Sequence, residues 1–142
     1  MVGRSFLVGS RPPPNDSVWA RAEDEGFEVE VLDRNAANKE KRVDSSLLTV
    51  LLEDSYEYMD AGRGDLAVLV AGDGDFQPAL ASLHRRGLRM RVLSWRHACS
   101  RDLREGADEF YVLDPFFDWL TLASPTPPAP RPEQSQRRGP ER

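Results

Sequence analysis

With 142 residues, 39% of them hydrophobic and 30% charged, the chain can bury one self-standing core, and its single cysteine, Cys99, excludes both an internal disulfide framework and a multi-cysteine zinc site. The formal charge of −5 is unevenly spread: setting aside the four Arg and two Glu from Ser124 onward leaves 15 basic against 22 acidic residues, a net −7, so a nucleic acid would have to be bound locally or through a metal. No apolar run approaches the ~20 residues of a bilayer span and Met1–Ser10 lacks the layout of a signal peptide, so a soluble, cytoplasmic protein with no membrane partner is expected.

In chain order, short apolar runs alternate with helical patterns. Ser5–Gly9, Phe27–Leu32, Leu66–Val70, Leu88–Leu93 and Phe110–Leu113 read as strands. Helices are predicted over 15–25, 42–61, 75–86, 100–107 and 115–122. Asn15 and Asp16 open the first and Gly26 closes it; Asp75 opens the third and Gly87 closes it; Ser100 caps the fourth. Such alternation implies βαβ units and a mostly parallel sheet covered on both faces. Leu66–Val70 (LAVLV) has no polar alternation and is expected as a central strand buried on both faces. The last stretch, Ser124–Arg142, holds 6 Pro and no large apolar residue, which predicts a disordered tail over 123–142 behind a domain over 3–122.

Open parallel sheets place their sites beyond the carboxyl ends of the strands. Just there, after Leu66–Val70, comes Ala71-Gly72-Asp73-Gly74-Asp75-Phe76. Glycines let the chain turn tightly, and two carboxylates two residues apart on such a turn can converge on one point. Like charges so placed call for a cation between them, and a hard divalent ion that prefers oxygen, Mg²⁺ or Mn²⁺, fits. The same residues also suit plain turn and cap roles, with Asp75 capping the next helix. Asp44 opens the long helix after Phe27–Leu32, on the rim where Asp73 and Asp75 fall; it reads either as a third acid of the cluster or as a partner of the helix dipole. Asp54, about 1000° of helical rotation further on, does not share its face.

These residues carry a family resemblance. Val43-Asp44, the helix bearing Asp54, Asp65 through Gly72-Asp73-Gly74-Asp75-Phe76, Gly87, and Ser100, Leu103 and Ala107-Asp108-Glu109-Phe110 resemble the NYN domain, also called LabA-like or DUF88, of the PIN-like nucleases. The similarity runs from about Phe6 to Leu113. It implies an α/β fold, three-layered and Rossmann-like, with a mostly parallel central sheet. It also implies a metal-dependent ribonuclease: Asp44, Asp73 and Asp75 as catalytic residues, with Asp108 beside them as metal ligands for Mg²⁺ or Mn²⁺. The metal would activate a water and stabilise charge on the scissile phosphate. Phe6-Leu7-Val8 resembles the family's second strand, so the domain is expected to be N-terminally truncated, without the first strand and the acid that ends it. Ala71 stands where the family usually has Ser.

Positive charge gathers in one stretch. His84 to Arg104 holds seven Arg against Asp102 alone, and Arg85, Arg86, Arg89, Arg96 and Arg101, with Lys41, are candidate contacts to a single-stranded RNA partner. A charged edge strand and exposed helix ends would give the same pattern. Trp95 and His97 could stack on a base or simply pack; Cys99 lacks the partners of a nucleophile. Two further readings stand beside the nuclease: a degenerate NYN domain that binds RNA or a protein without cleaving, and a DxD metal enzyme of another α/β kind. Homo-oligomerisation is left open by the sequence.

Overall fold

Ser5–Ser10 and Phe27–Leu32 form strands β1 and β2 in the computed structural model, which describes residues 3–10, 17–32 and 39–117. The two pair in parallel, Ser5 opposite Phe27 through Ser10 opposite Leu32. Parallel pairing demands a crossover, and α1 (Ser17–Asp24) lies within it. Gly26 closes that helix at φ 91°, a left-handed value open to glycine at no steric cost, with its N–H on the Glu23 carbonyl at 2.9 Å. Gly9 is small for another reason: a Cβ there would sit 2.4 Å from the Trp19 ring, so the indole rests on bare backbone. These elements and most of α2 (Lys39–Glu57), whose Ser46 hydroxyl donates to Glu30 at 2.5 Å, make up one unit, Met1–Glu53.

The second unit begins at Asp54, inside α2. Its strands β3 (Leu66–Val70), β4 (Arg89–Ser94) and β5 (Glu109–Val112) lie parallel in that order, with α3 (Gln77–Arg85) and α4 (Arg101–Gly106) in the crossovers. Parallel pairing is thus present in both units, in a two-stranded and a three-stranded sheet. α2 ends four residues before its predicted limit because Asp60 starts a separate 3₁₀ turn, Ala61–Arg63, accepting the Gly62 N–H at 2.7 Å. α3 stops on Gly87 (φ 73°), with the Leu88 N–H reaching back to the Leu83 carbonyl at 2.9 Å. Asn15, Asp16, the 118–122 part of the last predicted helix and the 123–142 tail lie outside the described residues. No described helix is long and apolar enough to cross a membrane.

Register decides which face is buried. Ala67 lies opposite Met90, and Leu69 opposite Val92, which lies opposite Phe110. All five are buried, with Ala79, Leu80 and Leu83 of α3 and Leu103 of α4. The alternate residues point the other way: Val68 is 50% and Val70 63% exposed, and Arg91 pairs with Glu109 there at 2.6 Å. This corrects the expectation that Leu66–Val70 is buried on both faces. The sheet face that carries Val68 and Val70 is exposed, so an apolar run without alternation still presents every second residue to water.

Asp108 locks the amino-terminal ends of β4 and β5. Its carboxylate accepts the Met90 N–H at 2.8 Å and pairs with His84 Nε2 at 2.7 Å, while its own N–H reaches the Met90 carbonyl at 3.0 Å. Burial alone would raise the Asp108 pKa, but the Met90 N–H and His84 outweigh it and hold the carboxyl below its usual range. A depressed carboxyl pKa contributes stability that is present above the unfolded value of about 3.9 and lost as pH falls through the folded one. Asp108→Ala should therefore cost about 1–3 kcal/mol at neutral pH by stranding the Met90 N–H. Urea unfolding should show that difference shrinking below about pH 4. Gly72→Ala should cost at least about 1–3 kcal/mol in the same assay, because its Cβ would meet the Ala98 carbonyl oxygen at 2.3 Å and the Ser94 hydroxyl at 2.6 Å, and the first is backbone.

Candidate functional site

Beyond the carboxyl end of β3 the chain is held by backbone contacts before any side chain acts. The Gly72 carbonyl accepts the Ser100 N–H at 2.7 Å, and the closeness of Ala98 and Ser94 leaves no room for a side chain at position 72. Ser100 serves twice, its hydroxyl accepting the Leu103 N–H at 3.3 Å to cap α4. Phe76, 1% exposed, pins the other end of the turn in the core. Between these anchors Gly74–Phe76 form a 3₁₀ turn that leads into α3.

Asp73, not Asp75, is the capping acid. Its Oδ1 accepts the Asp75 N–H at 2.9 Å from an extended backbone (φ −70°, ψ 137°). That bond fixes Asp73 and leaves its Oδ2 and the Asp75 carboxylate exposed, with one oxygen of each within 4.8 Å of the other. Two opposed Mg–O bonds of about 2.1 Å would span about 4.2 Å, so the pair is of a size to share one hard cation.

Asp44 is half-buried in the Met1–Glu53 unit. α2 begins at Lys39 and not at 42, so Asp44 is its sixth residue and sits past the first turn, where the helix dipole acts most strongly. Lys41 is in the same helix, and its side chain lies outside the described residues. Asp108 is a correction. It precedes β5 and bonds to the first turn of β4, so in a parallel sheet it lies on the rim opposite Asp73 and Asp75, and its carboxylate is already engaged. The Ala-Asp-Glu-Phe motif there serves the fold.

The arginine run is also divided by the sheet. Arg85, Arg86 and Arg89 fall at the end of α3 and the start of β4, on the Asp108 rim; Arg96 and Arg101 follow β4, on the Asp73 rim. Several are committed. Arg86 donates to the Ser55 carbonyl at 3.2 Å and to its hydroxyl, and lies 3.7 Å over the Tyr56 ring. Arg101 pairs with Glu105 at 2.9 Å; Arg96 is exposed, and its backbone N–H donates to Asp114 at 2.9 Å. Arg85 and Arg89 are exposed, the latter donating to the Gly64 carbonyl at 3.3 Å. Trp95 meets Phe117 edge to face at 6.0 Å, a packing role; His97 is exposed. Burial raises the Cys99 thiol pKa, which suits an inert thiol.

The tie from Ser100 to Gly72 and the contact of Arg86 with Tyr56 are not legible in the sequence. A backbone N–H to carbonyl bond has no residue signature, so Ser100 shows only its capping role. Tyr56 did have a signal, an aromatic pair with Tyr58 at the charged end of a helix.

No curated protein sequence matches the chain. Its fold is similar to the crystal structure of a protein of unknown function from Vibrio parahaemolyticus, with a TM-score of 0.51 and 19% identity over 77% of this chain and 67% of that one, a likeness that speaks to fold alone. The NYN domain model matches residues 4–114. That span contains the β3 turn and its acids, and the chain belongs to the NYN domain family of PIN-like nucleases.

Proposed function

We propose that the protein is a metal-dependent ribonuclease that hydrolyses RNA phosphodiesters with Mg²⁺ or Mn²⁺ held by Asp73, Asp75 and Asp44. The observation that carries this is the exposed Asp73 and Asp75 pair on a turn fixed from both ends, with oxygens within 4.8 Å. Asp44 is assigned on its Val-Asp motif position. The donor set is all carboxylate, which suits a hard cation and not zinc or copper. When bound, such an ion would activate a water and stabilise charge on the phosphate.

The chain's own residues supply the rest. Asp73, tied through Oδ1 to the Asp75 N–H, presents Oδ2 in a fixed direction, and Asp75 is free to adjust its rotamer. The pair's negative charge would repel RNA until a cation neutralised it, so RNA binding at this turn would depend on the cation. Arg96 and Arg101 follow β4 on the same rim and would contact phosphate oxygens, Arg101 by exchanging Glu105 for the phosphate. Single-stranded RNA is the expected substrate, since an unpaired strand leaves its bases and backbone open to contact.

Asp73→Asn keeps an oxygen to accept the Asp75 N–H and removes the charge. Cleavage of a labelled single-stranded RNA in Mn²⁺ should fall about 10²–10³-fold, as for loss of one charge-stabilising group, with an unchanged thermal midpoint. EDTA should abolish cleavage and excess Mn²⁺ restore it. Cleavage that survives both treatments would show that another centre does the chemistry; RNA binding without any cleavage would favour a non-catalytic binding module.

A further inference from the structure

We infer that Tyr56, backed by Arg86, is a stacking platform for one base of single-stranded RNA on the rim opposite Asp73 and Asp75. The inference rests on the ribonuclease reading and adds a second contact to it. Tyr56 is 67% exposed, an unusual state for a large ring that is also held in place. The Arg86 guanidinium covers one face at 3.7 Å from the centroid, and the exposure leaves the other face to solvent. Arg86 is itself fixed by the Ser55 carbonyl at 3.2 Å and by the hydroxyl of Ser55, a residue with no exposure at all. The ring is therefore oriented before any ligand arrives, which lowers the entropy cost of binding to it.

A flat, pre-set aromatic face suits a nucleobase, because every base has a π face and an unpaired strand leaves it open. Phosphates have partners next door: Arg85 is exposed on the last turn of α3, and Arg89 is exposed at the start of β4. The carboxylate pair lies at the other end of strands that rise about 17 Å over five residues. A strand held at Tyr56 and cut at Asp73 would have to span that distance, so the platform is a site for long RNAs and not part of the cleavage centre.

The test uses the full chain carrying Asp73→Asn, in EDTA, so that neither cleavage nor metal contributes. Fluorescence anisotropy with a labelled 12-nucleotide oligouridylate should show Tyr56→Ala raising Kd about tenfold. Tyr56→Phe, which keeps the π face, should stay within about twofold of the parent. An abasic oligomer of the same length should bind the parent and Tyr56→Ala alike. Three results would overturn the platform: no change with Tyr56→Ala, an equal loss with the abasic strand, or no binding of oligouridylate by the parent. Cleavage by the unmodified protein in Mn²⁺, measured alongside, reports on the ribonuclease reading separately.

Discussion

The hydrogen bond from the Ser100 N–H to the Gly72 carbonyl ties the turn after β3 to the turn after β4, and the candidate site is built on that tie. It is possible only because Gly72 has no side chain: the Ala98 carbonyl and the Ser94 hydroxyl occupy the space a Cβ would need. Ser94 is buried at the end of β4 and Ser100 caps α4, so the turn inherits the rigidity of two elements. Asp73 then needs one local bond, to the Asp75 N–H, to be fixed in place. Carboxylates on a mobile loop would lose conformational entropy on taking up a cation; here much of that loss has already occurred on folding.

Much of this was legible in the residues, and the main exceptions share a cause. The five strands were found to within a residue or so because apolar runs bounded by Gly and polar residues are local signals, as were the closures at Gly26 and Gly87. The turn Ala71 to Phe76 stands out in the sequence as the informative segment, although the helix expected to open at Asp75 begins at Gln77, after a 3₁₀ turn capped by Asp73. What failed was placement across the sheet. Asp108 and the arginine run are continuous with the site along the chain, yet a parallel strand carries the chain from one rim to the other each time it is crossed. Residues before β4 and β5 therefore face away from those after β3 and β4. LAVLV is a further exception: side-chain character does not report whether a sheet face is covered, and Val68 and Val70 are exposed.

The same division separates two kinds of chemistry. On the carboxyl rim lie the hard oxygens of Asp73 and Asp75; on the amino rim lie Arg85, Arg86, Arg89 and the Tyr56 ring. His84 and Asp108 hold the amino rim together, Asp108 pairing with His84 and accepting the Met90 N–H. If Asp108 had faced the acids, its charge would have been drawn to a cation and the Met90 N–H left without an acceptor. Its position keeps the structural lock apart from the exposed acids of the Asp73 turn.

The net charge of −7 on the first 123 residues bears on affinity as well as on composition. Several arginines that could offset it are already bound to the chain: Arg63 to Asp65, Arg91 to Glu109 and Arg101 to Glu105, with Arg86 fixed on Ser55 and Tyr56. A ligand must displace or share these partners, so each phosphate contact yields less than a free guanidinium would. Counterion release, the usual source of nucleic-acid affinity, is correspondingly weak here. Under the proposed reading the terms that remain are short-ranged: a cation-mediated contact at the Asp73 turn, and stacking on Tyr56, which is insensitive to net charge. On those terms an acidic domain would hold RNA through a few fixed contacts at the two ends of one sheet.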